Sequence, residues 1–394
     1  MALKARTLLA ITCLALAAGG AAAQEKFKIG IISTMSGPAG SLGTEYMAGL
    51  NLAIKRGGGA FGGVPIELVT GDDQVRPELG KQFAEKMIQQ DRVHMIAGTI
   101  FGQVVLAAAP VAFAARLPFV SAIPGPSELS GAGCNRFFFS SGYQTDAPHE
   151  AMAKYVTAKK FKNIYVIVPN FPSGRDAVAG FKRYYKEPLA GEVYTALNQI
   201  DYSVEIAAIQ AKKPEAVYIF LPGGMGINFI KQYKLAGLSK ISPLMGFSFA
   251  FEEDVLRAVG DAALGSLNSS NWANDSVNAE NRAFVAAFEA EYKRLPSQYA
   301  AFAYDFGLML GAALPNLKGK FSDGEALVAA LEKVKFKSIR GDIRFDRNHM
   351  PVQDWILRAV VRDDKGRITN RTVDRITTAH QDAYVKDCKM AAAK

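Results

Sequence analysis

Histidine is scarce in this sequence: His94, His149, His349 and His380 are the only four. No two of them stand at a metal-ligand spacing, and no zinc pattern is present. Cysteine is scarcer still, with Cys13, Cys134 and Cys388, and "CNRF" at Cys134 offers no context for a catalytic thiol. "GFSFA" around Ser248 lacks the second glycine of a nucleophile elbow. Charge of one sign is not concentrated anywhere. The net charge of +9 is spread over singles and pairs such as Lys159 with Lys160 and Lys212 with Lys213. Without a basic arm or an RNA-binding signature, a nucleic-acid partner is excluded, and the mild basic excess reads as a solubility property. No cofactor-binding or metal-binding set and no catalytic constellation is found, so an enzyme reading has nothing to stand on.

What is present begins with a leader. Lys4 and Arg6 precede an apolar run from Leu8 to Ala18, and Ala21, Ala22 and Ala23 stand before Gln24. This order is that of a secretory signal peptide over residues 1–23. A membrane anchor is the rival reading, but the run is short for a bilayer, and no later segment reaches spanning length without charges or helix breakers. A lipoprotein at Cys13 is opposed by Thr12 before it and by the apolar run continuing past it. Cleavage removes two positive charges (9 − 2 = +7) and Cys13. In an exported chain the remaining Cys134 and Cys388 are expected to pair, closing a very long loop worth about 5 kcal/mol in the chain-entropy model.

About 370 mature residues suggest two domains. Strands and helices alternate almost without interruption, in one series from Phe27 and a second from Phe161. Fully apolar strands such as "IYVIV" and "AVYIFL" fit buried parallel sheets. The expected class is therefore α/β with doubly wound sheets. An irregular polar stretch, "SLNSSNWANDSVNAENR", then leads to a long helix near Asn281 and to late strands joined by a turn at Asp364 to Gly366. A helical block followed by late strands predicts that the chain crosses between lobes more than once.

The first strand enters a loop with Gly37, Gly40 and Gly43, spaced G-x-x-G-x-x-G. That is neither a dinucleotide fingerprint nor a P-loop. The glycines either make the turn alone or leave a helix N-terminus free for a polar or anionic ligand.

Several stretches, in this order, carry a resemblance: "IGIISTMSGPAGSLGTEYMAGLNLAI", "GGVPIELVTGDDQ", "HMIAGTIFGQVVLAAAPVA", "PFVSA", "DYSVEIAAIQAKKPEAVYIF" and "FIKQYKLAGL". Over nearly the whole mature chain the sequence resembles periplasmic substrate-binding proteins of ABC importers, in their branched-chain amino-acid-binding branch. The resemblance implies two doubly wound parallel-sheet lobes joined by three crossover segments, the type I periplasmic binding fold. It divides the chain into 24–144 with 275–348 and 145–274 with 349–394. It also implies a periplasmic location, capture of a solute by lobe closure, and delivery to an ABC permease in the inner membrane.

Ligands of doubly wound sheets sit beyond the carboxyl ends of the strands, which here places Ser36, Gly37, Thr99, Phe101, Gly102, Ser121 and Ala122 around the cleft. The family's amino-acid receptors hold a carboxylate with a serine-rich turn and a threonine; this sequence aligns Phe101, Gly102 and Gly125 there. Where they hold the ammonium with a glutamate, it has Ser248, and a family tyrosine is replaced by Leu221. A buried ammonium without a counter-charge costs several kcal/mol, and Asp146, Asp176, Glu252 and Asp275 stand only at loop margins. Aromatic residues decorate the same strand ends and suit a flat apolar body. The expected ligand is a small carboxylate, favoured as an aromatic acid. Thr99, Ser121 and loop N–H groups, with help from Arg175, would hold the carboxylate. Tyr143, Asn170 and Ser248 would bond ring hydroxyls or close the lid, and Phe101, Phe171 and Phe249 would sandwich the ring. A branched-chain amino-acid receptor, a ligand sensor for a membrane receptor and a secreted enzyme are the alternatives.

Overall fold

The computed structural model describes residues 25–390, so the expected leader lies outside the described residues. The first lobe opens with strand β1 (Phe27–Ser33), helix α1 (Gly40–Arg56), β2 (Ala60–Phe61), β3 (Val64–Asp72), α2 (Pro77–Gln89) and β4 (Met95–Gly98). It continues with α3 (Gly102–Ala114), β5 (Phe119–Ser121), β6 (Pro124–Gly125), β7 (Phe138–Ser140) and β8 (Tyr143–Gln144). The second lobe holds α4 (Ala147–Ala158), β9 (Ile164–Pro169), α5 (Pro172–Tyr184), β10 (Gly191–Thr195) and α6 (Ser203–Lys212). After these come β11 (Ala216–Ile219), α7 (Gly224–Leu235), β12 (Leu244–Phe247), α8 (Glu253–Val259) and β13 (Leu267–Ser270). The chain then returns to the first lobe for α9 (Ala279–Tyr292), α10 (Gln298–Ala313) and α11 (Gly324–Glu332). It ends on β14 (Arg344–Phe345), β15 (Pro351–Arg362) and β16 (Ile368–His380) in the second.

The first sheet has the order β2-β3-β1-β4-β5-β7, and the second runs β10-β9-β11-β12-β13-β15-β14 with β16 on β15. The apolar run of β1 is buried because it lies between two parallel neighbours, Ile29 standing beside both Leu68 and Met95. The apolar strands β9 and β11 pair in parallel in the same way, with Val217 beside Tyr165. The second sheet is mixed, since β15 runs antiparallel to β13 and β16 antiparallel to β15. That hairpin is the pair of late strands expected from the sequence, and Gly366 supplies a positive φ of 77° in its turn. The long helix α9 starts where Asn278 accepts a hydrogen bond from Asn281 N.

Three segments, near 141–146, 271–278 and 343–350, join the lobes, and one carbonyl of the first binds the second and residues on either side of the third. The Gly142 carbonyl accepts from Asn271 Nδ2 at 3.1 Å, Arg340 Nη1 at 2.9 Å and Gln353 Nε2 at 3.0 Å. Arg340 is anchored to the first lobe through Asp305 at 2.8 Å, both side chains being buried. Cys134 and Cys388 form the expected disulfide, across 254 residues of sequence with Cα atoms 5.7 Å apart. It fastens the tail beyond β16 to the loop before β7, a covalent link between the lobes beyond the three crossovers.

Candidate functional site

The carboxyl ends of the parallel strands in the two lobes face each other, and the lobes are together. Leu42 of α1 packs toward the N-terminus of α7, its Cδ2 only 3.6 Å from where a Cβ on Gly223 would stand. Ser127 Oγ donates to Asp176 Oδ1 at 2.6 Å and Ser41 Oγ to Asp254 Oδ2 at 3.1 Å, each serine from the first lobe and each acid from the second. Arg257 reaches Glu45 at 2.9 Å across the same gap. Asp176 is buried where the lobes meet, and Asp254 is half-buried there. Burial first, then the charge of Asp146, pushes Asp176 up to about 7. Burial first, then Glu45, pushes Asp254 up to about 6.

Between the lobes lies a tight cavity lined by residues of both. In the closed form it has room for about one water, so a ring enters only when lobes or side chains part. The first lobe contributes Leu42, Ile100, Phe101, Pro124 and Tyr143, the second Phe171, Ser173, Phe220, Pro222 and Phe249, and α10 adds Tyr299. The aromatic rings form two groups. Phe101 and Phe171 meet edge-on across the cleft at 6.1 Å, with Phe220 6.1 Å behind Phe171. Phe249 lies 4.4 Å from Tyr299 and 5.8 Å from Tyr143.

No charged side chain lines this cavity. His149, behind Phe220 at 5.1 Å, is no cation either, because burial pushes its pKa down to about 3. What the cavity has instead is a pair of opposed helix ends. Phe101 and Phe171, both in extended backbone, are the N-caps of α3 and α5, and neither supplies a side-chain acceptor. Val104 N and Gly174 N turn back to the carbonyls of Phe101 and Phe171, both at 3.0 Å, and Pro172 has no N–H, so the first-turn donors without an intrahelical or side-chain cap are the N–H groups of Gly102, Gln103 and Ser173. The two ends lie close: a Cβ on Gly102 would stand 2.6 Å from Ser173 Oγ. Two positive dipole ends brought together favour an anion between them.

Of the residues singled out in the sequence, the structure brings Phe101, Tyr143, Phe171 and Phe249 together on the cavity, with Gly102 at its edge. The rest stand outside its lining. Ser36 and Gly37 are exposed; Ser36 bonds Asp72, whose carboxyl is held low by hydrogen bonds despite the opposing cost of burial. Gly43 is needed for packing, since a Cβ there would come within 2.0 Å of the Thr34 carbonyl. Thr99 is buried at φ +61°, with its hydroxyl on the Gly98 carbonyl at 2.6 Å and 3.3 Å from Ser121 Oγ. Ala122 is buried against Gly142. Asn170 accepts from Arg175 at 3.2 Å near the surface. Ser248 donates to Gln298 Oε1 in a buried network. Sequence reasoning missed Ser173, Phe220 and Tyr299. The first two immediately follow strand ends it had marked, whereas Tyr299 comes from a helix distant in sequence and carries no local signal.

Residues 26–366 match the periplasmic binding protein family. The chain is similar to Leu/Ile/Val-binding protein homolog 6 of Brucella melitensis, 27% identical over 383 residues covering 93% of this chain and 96% of that one. Among solved structures, it is similar to an ABC transporter solute-binding protein of Rhodopseudomonas palustris in complex with benzoate (TM-score 0.87, 28% identity, 93% and 100% coverage). A second, from Rhodopseudomonas palustris BisB5 in complex with 3,4-dihydroxybenzoic acid, has TM-score 0.85 and 29% identity, with 91% and 99% coverage. The family match and these similar structures agree with the two-lobed fold, and the chain belongs to the periplasmic binding protein family, as the solute-binding protein of an ABC transporter rather than an enzyme.

Proposed function

We propose that this protein captures a small aromatic carboxylate by closing its lobes and hands it to a membrane permease, after export through the leader at 1–23. The observation that carries the reading is the aromatic cavity without a charged side chain, set against the opposed N-termini of α3 and α5. A carboxylate between Gly102 and Ser173 would take hydrogen bonds from backbone N–H groups of both lobes, contacts that exist only when the lobes meet. Closure is then the population shift that ligand binding drives. The ring would lie among Phe101, Phe171 and Phe249. Burying about 100 Å² of ring surface contributes on the order of 2–3 kcal/mol.

The cavity wall holds no acid for an ammonium group, which disfavours an amino acid. The benzoate and dihydroxybenzoate held by the two similar solute-binding proteins agree with the aromatic reading. Calorimetry with benzoate, 4-hydroxybenzoate and leucine tests it. Micromolar or tighter binding of an aromatic acid is expected. Tight leucine binding without aromatic-acid binding would overturn it.

A further inference from the structure

Tyr299 is a residue for which the fold leaves something undone. Its side chain is fully buried, its ring lines the cavity, and its hydroxyl has no hydrogen-bond partner among the described residues. Buried hydroxyls are nearly always paired, so an orphan of this kind needs a reason. The ring is also held firmly. Ser297 caps α10 just before it, Gln298 N donates to Glu252 Oε2 at 2.6 Å, and Phe249 packs on it at 4.4 Å. On the far side, α1 packs so closely that a Cβ on Gly49 would stand 2.0 Å from the Ala300 carbonyl. The hydroxyl is thus pre-positioned rather than loose.

Its place in the cavity matters too. Tyr299 belongs to the ring group with Phe249 and Tyr143, whereas Phe101 and Phe171 flank the helix ends. Tyr143 is buried in the same group, its ring 5.8 Å from that of Phe249. One wall therefore offers helix N-termini and another offers the Tyr299 hydroxyl.

We infer that Tyr299 is a specificity-determining residue whose hydroxyl bonds a hydroxyl on the ligand ring remote from the carboxylate, selecting 4-hydroxybenzoate-like acids over benzoate. This rests on the aromatic-acid reading above. A site built to bond a hydroxyl discriminates strongly against the analogue lacking it, because its own polar group is then left unpaired. The competing account is a trapped water between Tyr299 and Asp254, whose Oδ1 is also unpaired and whose charge acts on the Tyr299 hydroxyl.

The test is calorimetry of the full mature protein with benzoate, 2-hydroxybenzoate, 4-hydroxybenzoate and 4-methylbenzoate, on the native chain and on Tyr299→Phe and Tyr143→Phe. The native protein should bind 4-hydroxybenzoate at least about tenfold more tightly than the other three. Tyr299→Phe should bring that ratio to within about twofold of unity while benzoate binding persists. An unchanged ratio in Tyr299→Phe overturns the inference in favour of the trapped water, and its loss in Tyr143→Phe alone overturns it in favour of Tyr143. Should Tyr299→Phe fail to fold, the native ligand series decides: 4-methylbenzoate equal to 4-hydroxybenzoate rejects the role. If no aromatic acid binds the native protein, the parent reading itself fails.

Discussion

Lowering the pH from 8 to 5 should tighten ligand binding, because closing the lobes buries Asp176. With the lobes parted this carboxyl would meet water and titrate toward its ordinary 3.8, whereas in the present structure burial raises it to about 7. The charged groups acting on it are Asp146 and Glu128, with Arg183 and Tyr384 bound to Asp146. The closed state has the higher pKa, so its advantage is complete below the open-state value and is lost as pH rises through the closed-state value. The window is therefore about pH 4 to 7. Between pH 7 and 5 the gain is at most about 2.7 kcal/mol, a hundredfold in Kd, at 1.36 kcal/mol per pH unit. It is an upper bound because Asp146 is in the same lobe and perturbs the open form too. Asp254 adds to the effect in the same direction with a smaller share, since it stays partly exposed. Titration calorimetry with benzoate at pH 5, 6, 7 and 8, in two buffers of different ionisation enthalpy, reads both affinity and proton uptake. Uptake approaching one proton near pH 6 is expected, much reduced in Asp176→Asn. A Kd constant within threefold from pH 5 to 8, with no proton exchanged, would refute the reasoning.

Gly102→Val should hold the cleft ajar, since even a Cβ would stand 2.6 Å from Ser173 Oγ, with Pro126 3.7 Å away, and valine adds two methyl groups beyond it. Overpacking of about 1–3 kcal/mol predicts a 5- to 150-fold loss of affinity and a larger radius of gyration by solution scattering in excess ligand; an unchanged, compact form would count against a closing contact here. Replacing Cys134 and Cys388 by serine removes a link across 254 residues, which the chain-entropy model sets at about 5.5 kcal/mol; denaturant unfolding measures it, and a loss below about 1 kcal/mol would show that the tail is held without the bond. Arg358→Ala strands Glu252, its buried partner at 2.7 Å, and should cost about 3–5 kcal/mol of stability, read from the same unfolding curves.

The α/β class and the two lobes were legible because they follow from local regularities. Fully apolar runs such as Ile164–Pro169 can be satisfied only between parallel neighbours, and their alternation with amphipathic helices forces doubly wound layers. The disulfide was legible for a different reason: export leaves two cysteines with no other partner. That Phe101, Tyr143, Phe171 and Phe249 share one cavity was legible because all four stand at strand ends, which such sheets gather along one cleft.

The polar half of the site was not. Thr99, Ser121, Asn170 and Ser248 stand at strand ends but outside the cavity lining, their hydroxyls or amide oxygen bonded to neighbouring groups, and that depends on side-chain direction, which no local pattern encodes. Composition and order along the chain determined the layers, the export and the apolar character of the cleft. Only the packed fold decided that two uncapped helix ends approach each other, that Tyr299 arrives from a helix more than 150 residues beyond Tyr143, and that Asp176 and Asp254 meet serines of the first lobe. Those are contacts between distant segments, and their energies exist only once the crossovers have brought the segments together.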